Sequence, residues 1–191
     1  EMAEKFGVKQ DHYSRLESGK TFLSYRNLIC FVSNGGDIYY LITGKERYTG
    51  VIDAYLDKFK ILRDKVELLK LILWVTYQGV SYEELNKIYE IKQAWKHIEL
   101  IENEKKINSI WKNIRKVEGI SQKRMADQLD INIKRYQRME NLKTKPDAEI
   151  LHSLFWDLGY SPLVMIKQDM LYVDEINKIW DEFPEKTRER L

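Results

Sequence analysis

The chain has 191 residues, 43% of them hydrophobic, and its 32 Lys and Arg nearly balance its 30 Asp and Glu to give a net charge of +2. This composition is typical of a globular protein and not of a disordered chain, and the length allows one or two small domains. A single cysteine, Cys30, excludes an internal disulfide and a multi-cysteine metal site, and its apolar neighbours predict a buried, inert thiol.

Helices are the expected secondary structure, because the chain has only 3 Pro and 9 Gly and is rich in Leu, Ile, Lys and Glu. No secretion signal is recognisable. The longest apolar run, Leu68 to Val75, is interrupted by Lys70 and is too short to span a bilayer. We therefore expect an all-α, soluble, cytoplasmic protein that does not enter a membrane.

Residues 1–48 predict a first helix-turn-helix domain. The chain opens within a helix that turns at Gly7, and Gly19 follows the next helix, where a C-terminus favours a positive φ. The helices predicted after the turn cover residues 9–17, 25–32 and 38–41. No residues before Glu1 form the helix that precedes the corresponding segment later in the chain, so the first helix of this domain is expected to be missing.

Residues 49–106 predict a helical connector. Apolar residues at three- and four-residue spacing predict one long helix that starts near Tyr55 and ends near Gly79, and residues 81–84 have the sequence of a capping box for the next helix. The side chains expected to be buried in that next helix are Leu85, Ile88 and Tyr89, with Trp95 and Ile98 as further candidates. The spacing leaves three roles open, which are a rigid spacer, a dimerisation surface and a small sensor pocket for a small-molecule or peptide effector.

Residues 107–167 predict a second helix-turn-helix domain. Its second helix follows the N-cap Ser121 and ends at a turn of residues 130–132, and in the third helix Tyr136 and Met139 face inward. The inward residues of the second helix are Met125, Ala126 and Leu129. The outward residues of the third helix are Ile133, Lys134, Arg135, Gln137 and Arg138, whose side chains suit phosphates and base edges.

Residues 168–191 predict a C-terminal segment with an acidic amphipathic helix from Tyr172 to Phe183. Pro184 is expected to end this helix, and a frayed tail is expected to follow. The apolar side of the helix must pack on the rest of the chain or on a partner subunit. A homodimer formed through the connector or this helix is therefore expected.

The chain contains an internal repeat with an offset of 123 residues. The repeat aligns Glu1 to Thr21 with Arg124 to Thr144, and a weaker similarity continues to Gly36 and Gly159. The identical pairs are Met2 with Met125, Ala3 with Ala126, Tyr13 with Tyr136, Arg15 with Arg138, Glu17 with Glu140, Lys20 with Lys143 and Thr21 with Thr144. Because the repeat is longer than one helix and preserves turn, core and polar positions, chance amphipathicity does not explain it.

Positive charge is concentrated on the second predicted domain. Residues 105–145 contain 12 Lys and Arg against 4 Asp and Glu, a local net charge of +8. By contrast, residues 1–48 carry +1 and residues 168–191 carry −3. A basic segment that coincides with a helix-turn-helix is typical of a surface that binds a polyanion.

Three strings are similar to the Cro and lambda-repressor-like family, also called the XRE family. They are IRKVEGISQKRMADQLDI and RYQRMEN in the second domain and MAEKFGVKQDHYSRLESGKT in the first. The resemblance covers residues 1–44 and 107–166, about half of the chain. It implies two lambda-repressor-like domains joined by a helical connector, which bind double-stranded DNA through recognition helices in the major groove.

The resemblance also implies roles for individual residues. Gln122 would brace the DNA backbone and the recognition helix, and Arg115 would pair with Glu140, whose counterpart Glu17 would need a partner from the missing helix. The DNA-binding positions implied in the second domain are Gln122, Asn132, Ile133, Lys134, Arg135, Gln137, Arg138, Asn141, Lys143 and Lys145. Those implied in the first domain are Lys9, Gln10, Asp11, His12, Ser14, Arg15 and Lys20.

Two positions depart from the family pattern. Leu142 replaces the glycine that usually follows the recognition helix, so Asn141 is expected to adopt the positive φ instead. Asp11 lies at a base-reading position, where a carboxylate can accept a hydrogen bond from cytosine but repels phosphates. The second domain is therefore the stronger candidate for DNA affinity.

These patterns favour a sequence-specific DNA-binding transcriptional regulator. The alternative is an interaction protein, such as an antirepressor or a scaffold whose helix-turn-helix domains no longer bind DNA, because Asp11 and the acidic C-terminal helix leave room for a protein partner. An enzyme is not expected, since the sequence has no H-E-x-x-H motif, no G-x-S-x-G motif and no phosphate loop. Its three histidines also lie far apart, so neither a metal nor a cofactor is expected.

Overall fold

The computed structural model describes residues 2–104, 107–166 and 171–188, and this part of the chain is all-helical, as predicted. The helices in chain order are α1 (Met2–Phe6), α2 (Gln10–Glu17), α3 (Tyr25–Ser33), α4 (Ile38–Thr43), α5 (Val51–Leu56), α6 (Leu62–Gly79), α7 (Leu85–Asn103), α8 (Ile110–Val117), α9 (Gln122–Gln128), α10 (Ile133–Glu140), α11 (Ala148–Trp156), α12 (Leu163–Ile166), α13 (Asp174–Glu182) and α14 (Glu185–Arg188). None of these described helices combines the length and the apolar character that a bilayer crossing requires.

The chain divides into two compact units, each built from two separate segments. Unit 1 comprises Glu1–Glu46 and Ile107–Gln168, and unit 2 comprises Arg47–Lys106 and Asp169–Leu191. The four segments predicted from the sequence therefore pair in space. The two predicted helix-turn-helix segments share unit 1, and the predicted connector shares unit 2 with the C-terminal segment.

The internal repeat extends to the backbone geometry of unit 1. Helices α2 and α10 are offset by 123 residues at both ends, as are α3 and α11. The turn before α2 has a hydrogen bond from the Val8 amide to the Ala3 carbonyl, and its counterpart joins Ile131 to Ala126, both at 3.0 Å. The hydrogen bonds that follow α2 also have equivalents after α10. The repeat in the sequence is thus also a repeat of structure.

The two halves of unit 1 differ in how deeply their predicted recognition helix is buried. In α10 the side chains of Tyr136 and Met139 are fully buried, as predicted, and the Tyr136 hydroxyl donates to the Trp111 carbonyl of α8 at 3.1 Å. In α2 the equivalent residues, Tyr13 and Leu16, are only half-buried. Among the described residues of the first half, no helix takes the place of α8.

The two halves of unit 1 are joined through α4 and α11. The ring of Tyr39 on α4 meets the ring of Phe155 on α11 edge to face, with 5.8 Å between centroids. Nearby, the Ala148 amide at the start of α11 donates to the Leu23 carbonyl at 2.9 Å. The first contact links α4 to α11, and the second links the loop before α3 to α11. The two repeats therefore belong to one compact unit rather than two.

The loop after α10 corrects one prediction. Leu142 itself adopts a φ of +59°, the counterpart of Gly19 at +68°, whereas Asn141 has a φ of −87°. The expectation that Asn141 would take the left-handed conformation is therefore wrong. The Leu142 amide donates to Met139 as the Gly19 amide does to Leu16, so the helix ends in the same way in both halves despite the missing glycine.

Unit 2 is a helical core in which α13 of the C-terminal segment packs against α5, α6 and α7. The buried residues of its main hydrophobic cluster are Ile52, Leu56, Val66, Leu69, Ile72, Leu73, Ile91, Ala94, Ile98, Val173, Ile176, Ile179 and Phe183. Helix α13 ends before Pro184 as predicted, but α14 follows it where a frayed tail was expected. The last three residues of that tail lie outside the described residues.

The single long helix predicted near residues 55–79 is two helices, α5 and α6. The apolar spacing is continuous, but the residues do not share one buried face. Ile52 and Leu56 of α5 are buried, whereas Tyr55 and Phe59 remain exposed. The chain leaves the helix after Leu56 and resumes it at Leu62, and the predicted end at Gly79 is confirmed.

Helix α7 begins at Leu85, and its first turns differ from the prediction in capping and in burial. The Ser81 amide donates to the Glu84 carboxylate at 2.9 Å, but the Ser81 hydroxyl accepts from Glu83 rather than Glu84, so only half of the capping box forms. Leu85 is 70% exposed and Tyr89 is 49% exposed, so both predicted core positions are wrong. Ile88 is half-buried. The first two turns of α7 extend beyond the core that Ile91 begins.

Two polar side chains of α13 bind α5 and the segment that precedes it. Asp174 is buried, and both of its carboxylate oxygens accept from Arg47 Nε, at 2.8 and 2.9 Å. One of these oxygens also accepts a hydrogen bond from the Tyr48 amide. The Asn177 side-chain oxygen accepts from the Ile52 amide at 3.0 Å. A Cβ on Gly50 would lie 2.7 Å from Asn177, so only glycine fits beside it.

Cys30 and His97 both have neighbours that their sequence context does not reveal. Cys30 is only half-buried, and its thiol donates to the Lys5 carbonyl at 2.8 Å, so the prediction of a fully buried thiol is wrong. His97 is buried in unit 2, stacks on Tyr172 with 5.0 Å between ring centroids, and donates from Nδ1 to the Gln93 carbonyl. Burial, aided by the charge of Lys96, lowers the pKa of His97 to about 4, against an opposing contribution from the Gln93 hydrogen bond.

We expect His97 to make unit 2 less stable in mild acid. Because the pKa of His97 is about 4 when folded and near 6.5 when unfolded, the unfolded state takes up the proton first as the pH falls. The free energy of unfolding should drop by up to about 3 kcal/mol between pH 7 and pH 4 from this group. Urea denaturation of His97→Phe should show a smaller drop. Identical pH dependence in both proteins would contradict this assignment.

Leu142 and Gly19 offer a matched test of backbone strain. Leu142→Gly should raise the free energy of unfolding by about 1 kcal/mol, because an L side chain at positive φ is strained and Leu142 is 53% exposed. Gly19→Ala should lower it by a similar amount, since a Cβ there meets nothing within 4 Å and only the backbone is strained. Thermal denaturation measures both, and destabilisation by Leu142→Gly would refute the strain.

Candidate nucleic-acid interface

A short polar side chain caps the N-terminus of each of the helices α9 and α10. The Ser121 hydroxyl accepts from the Arg124 amide at 3.2 Å at the start of α9, as predicted. The Asn132 side chain accepts from the Arg135 amide at 2.8 Å and caps α10, while Asp130 makes the turn with a φ of +50°. Asn132 therefore holds the start of α10 in place, and its exposed side chain lies at the edge of the helix.

The end of α10 is held by an ion pair with α8. Arg115 donates to both carboxylate oxygens of Glu140, at 3.0 and 2.8 Å, and also to the Ile120 carbonyl. Burial alone would raise the pKa of Glu140, but the hydrogen bonds and charge of Arg115 outweigh it and keep the pKa below its ordinary value. The predicted pair of Arg115 with Glu140 is confirmed, and Glu140 is charged at neutral pH.

A second contact holds the middle of α10 against α9. The Gln137 side-chain amide donates to the Gln122 side-chain oxygen at 3.2 Å, and both residues are half-buried. The part of the Gln122 prediction that concerns bracing α10 is therefore confirmed. Its contact with a DNA backbone stays a prediction.

Arg135 has an internal partner that the sequence did not identify. Its guanidinium donates to one carboxylate oxygen of Asp147 at 2.6 Å, and the other oxygen of Asp147 accepts from the Ile150 amide and caps α11. Asp147 directly precedes an apolar helical run, which is the usual signal of an N-cap and could have identified it. Arg135 thus ties α10 to α11, and its side chain is only half-exposed.

The remaining predicted positions of the second repeat are exposed. They are Asn132, Ile133, Lys134, Arg138, Asn141, Lys143 and Lys145. Asn141 donates to the Gln137 carbonyl at 2.8 Å, and the Lys145 ammonium lies 5.6 Å from the centroid of the Tyr25 ring in the other half of unit 1. We call Lys134, Arg138, Lys143 and Lys145 the basic face of unit 1.

The predicted positions of the first repeat are also exposed, but their charges differ. They are Lys9, Gln10, Asp11, His12, Ser14, Arg15 and Lys20. On α2 itself, Arg15 is accompanied by Asp11 and by Glu17, which is exposed, whereas its counterpart Glu140 is buried against Arg115. The outer surface of α2 therefore lacks the excess of cations found on α10.

The pair of Arg115 and Glu140 should be needed for the stability of α10. Arg115→Met leaves a buried carboxylate without its partner, which typically costs about 3 kcal/mol in the free energy of unfolding. The double variant Arg115→Met, Glu140→Leu should recover most of that loss, because no buried charge remains. Glu17→Leu is the matched control at the exposed position. Urea denaturation measures all three, and a loss below about 1 kcal/mol in Arg115→Met would contradict the role.

Comparison of the chain with protein-family models, with curated proteins and with solved structures finds no match. The function is therefore argued from the geometry and charge of the residues described above.

Proposed function

We propose that the protein is a sequence-specific DNA-binding transcriptional regulator, with α10 as its main recognition helix and α2 as a second one. The observation that carries this proposal is the exposure of Lys134 and Arg138 on a helix whose other polar residues are held internally. Fixed, exposed cations on a braced helix suit a rigid, polyanionic partner. The proposal includes the cytoplasmic location expected from the sequence.

The side chains of α10 suit two kinds of contact with a duplex. Arg138 presents a planar guanidinium that can donate two parallel hydrogen bonds to a guanine edge, worth about 1 to 3 kcal/mol of discrimination. Lys134 presents a point charge that suits a phosphate. Ile133, which is 40% exposed, offers an apolar contact for a thymine methyl group. The helix therefore carries groups for both base reading and backbone binding.

Lys143 and Lys145 extend the basic face along the loop after α10. Phosphate contacts set the position of a protein on a duplex and supply most of the salt-dependent affinity. Because Lys145 also lies over Tyr25, the loop is supported by the first half of unit 1. We assign this loop to the DNA backbone.

The pairing of both repeats in one unit bears on the length of the site. One recognition helix reads only a few base pairs, so a second helix in the same unit would lengthen the sequence read by one chain. Its contacts would be intramolecular once α10 is bound, and so would carry a high effective concentration. A single chain would then read a composite site.

Removing the exposed cations of α10 should weaken specific binding. Lys134→Ala with Arg138→Ala should weaken the affinity for a duplex selected from a random pool by at least about tenfold, the loss of one good bidentate contact. Fluorescence anisotropy measures the affinity. Lys60→Ala with Arg63→Ala removes the same charge from exposed positions of unit 2 and is the matched control.

Comparison of the two double variants distinguishes base reading by α10 from an effect of the overall charge of the protein. Retention of wild-type affinity in the α10 variant, with an unchanged helical circular dichroism spectrum, would refute the proposed role of α10. Equal losses in both double variants would show that only the overall charge matters, which would refute sequence-specific reading.

A protein-binding role for α2 is the second candidate. Asp11 and Glu17 are exposed on α2, and Phe22, which follows in the next loop, is 59% exposed. A surface of mixed charge beside an exposed aromatic side chain favours a protein partner over a phosphate backbone. Salt dependence separates the two, because DNA affinity falls steeply with salt and an apolar protein contact does not.

A further inference from the structure

Unit 2 contains an open groove of about 530 Å³ that the proposed DNA contacts do not use. Helices α5, α6 and α13 form its walls, with Arg188 of α14 at its margin. Ten residues line it, among them Tyr55, Lys58, Phe59, Leu71 and Arg188. Its volume lies in the range of small-molecule sites.

The lining is apolar except for two cations. Eight of its ten residues are aliphatic or aromatic, and the charged residues, Lys58 and Arg188, are both positive. The Lys58 ammonium lies 4.7 Å from the centroid of the Tyr55 ring. Within the described part of the chain, neither Lys58 nor Arg188 forms a salt bridge. An acidic group entering the groove would therefore meet two cations and no carboxylate from the lining.

Several apolar residues that line the groove are exposed to solvent. Leu71, on the outer side of α6, is 58% exposed, and Tyr55 and Phe59 are exposed as well. Contiguous exposed apolar residues in a concavity usually mark a binding site. Their burial by an apolar ligand would supply the affinity, and the cations would supply the preference for an anion.

We propose that this groove binds a small amphipathic carboxylate, with an apolar chain or ring against Leu71 and Phe59 and its acidic head near Lys58 and Arg188. A second copy of the chain is a poorer occupant. In a two-fold contact the same patches face each other, so the cations of both copies would be brought together without a lining carboxylate to pair with them. A ligand anion has the complementary charge.

Dodecanoate and dodecan-1-ol are a suitable pair of probes, because they share a chain and differ in the charged head. Isothermal titration of the full chain should give binding of dodecanoate at least about tenfold tighter than that of dodecan-1-ol. The aromatic anion 1-anilinonaphthalene-8-sulfonate, followed by fluorescence, should be displaced by dodecanoate, because the groove accepts a chain or a ring. Weaker binding of dodecanoate than of the alcohol would overturn the proposal.

Leu71→Glu places a carboxylate in the groove at an exposed position and should reduce dodecanoate affinity by at least about tenfold. Leu85→Glu makes the same change at an exposed position of α7 outside the groove and should bind like the wild type. Lys58→Gln with Arg188→Gln should remove the preference for the acid over the alcohol. Lys92→Gln, an exposed cation of α7, is the control for charge.

The outcomes that overturn the proposal are distinct from those that concern DNA. Equal dodecanoate binding in the Leu71→Glu and Leu85→Glu variants would place the ligand elsewhere. A wild-type dimer that Leu71→Glu converts to a monomer, in the absence of dodecanoate binding, would assign the groove to a second copy. Neither result depends on duplex affinity, because no DNA is present in these titrations.

Discussion

The contact of α4 with α11 is the interaction on which unit 1 depends. Helix α2 has no fully buried residue, unlike its counterpart α10, so it contributes little to the core of the first half. The edge-to-face pair of Tyr39 and Phe155 and the hydrogen bond from Ala148 to Leu23 give that half a second surface to pack on. Because burial of large side chains is the main source of stability, the repeats are stable as one body.

Polar contacts then decide which cations of α10 remain available. Arg115 neutralises the only acidic residue of α10, Glu140, inside the protein, and Asp147 engages Arg135. Desolvation opposes a buried charge, but two hydrogen bonds from one guanidinium outweigh it for Glu140, whose pKa falls. The outer surface of α10 is left to Lys134 and Arg138. The charge of that surface thus follows from pairing inside the domain.

Local signals in the sequence account for much of unit 1. Ser121 caps α9, Met125 and Leu129 are buried, and the repeat predicted equivalent helices because identical residues occupy equivalent turns. Arg135 shows where local signals end. Its partner Asp147 belongs to a different helix, and helical spacing describes only which face a residue occupies, not what that face meets.

The wrong predictions have one physical cause in common: each depends on what the rest of the chain places beside the residue, which the local sequence does not describe. Leu142 takes a strained φ because the surrounding hydrogen bonds fix the loop, although its own preference opposes that conformation. Leu85 and Tyr89 continue the apolar pattern of α7 beyond the core, and Tyr55 and Phe59 line a groove. Apolar spacing could not distinguish these side chains from core residues. The spacing of apolar residues in the sequence also did not indicate that residues 1–46 and residues 107–168 form one unit.

That interleaved path has a consequence for synthesis on the ribosome. The partner of residues 1–46 begins only at Ile107, so the first half of unit 1 emerges long before it can be completed. At about 5 to 20 residues per second, the roughly 120 residues that separate Tyr39 from Phe155 take about 6 to 24 seconds to be added. During that interval the apolar side of α4 has no cover from α11. Burial of that side of α4 against α11 therefore cannot take place until translation has passed residue 155.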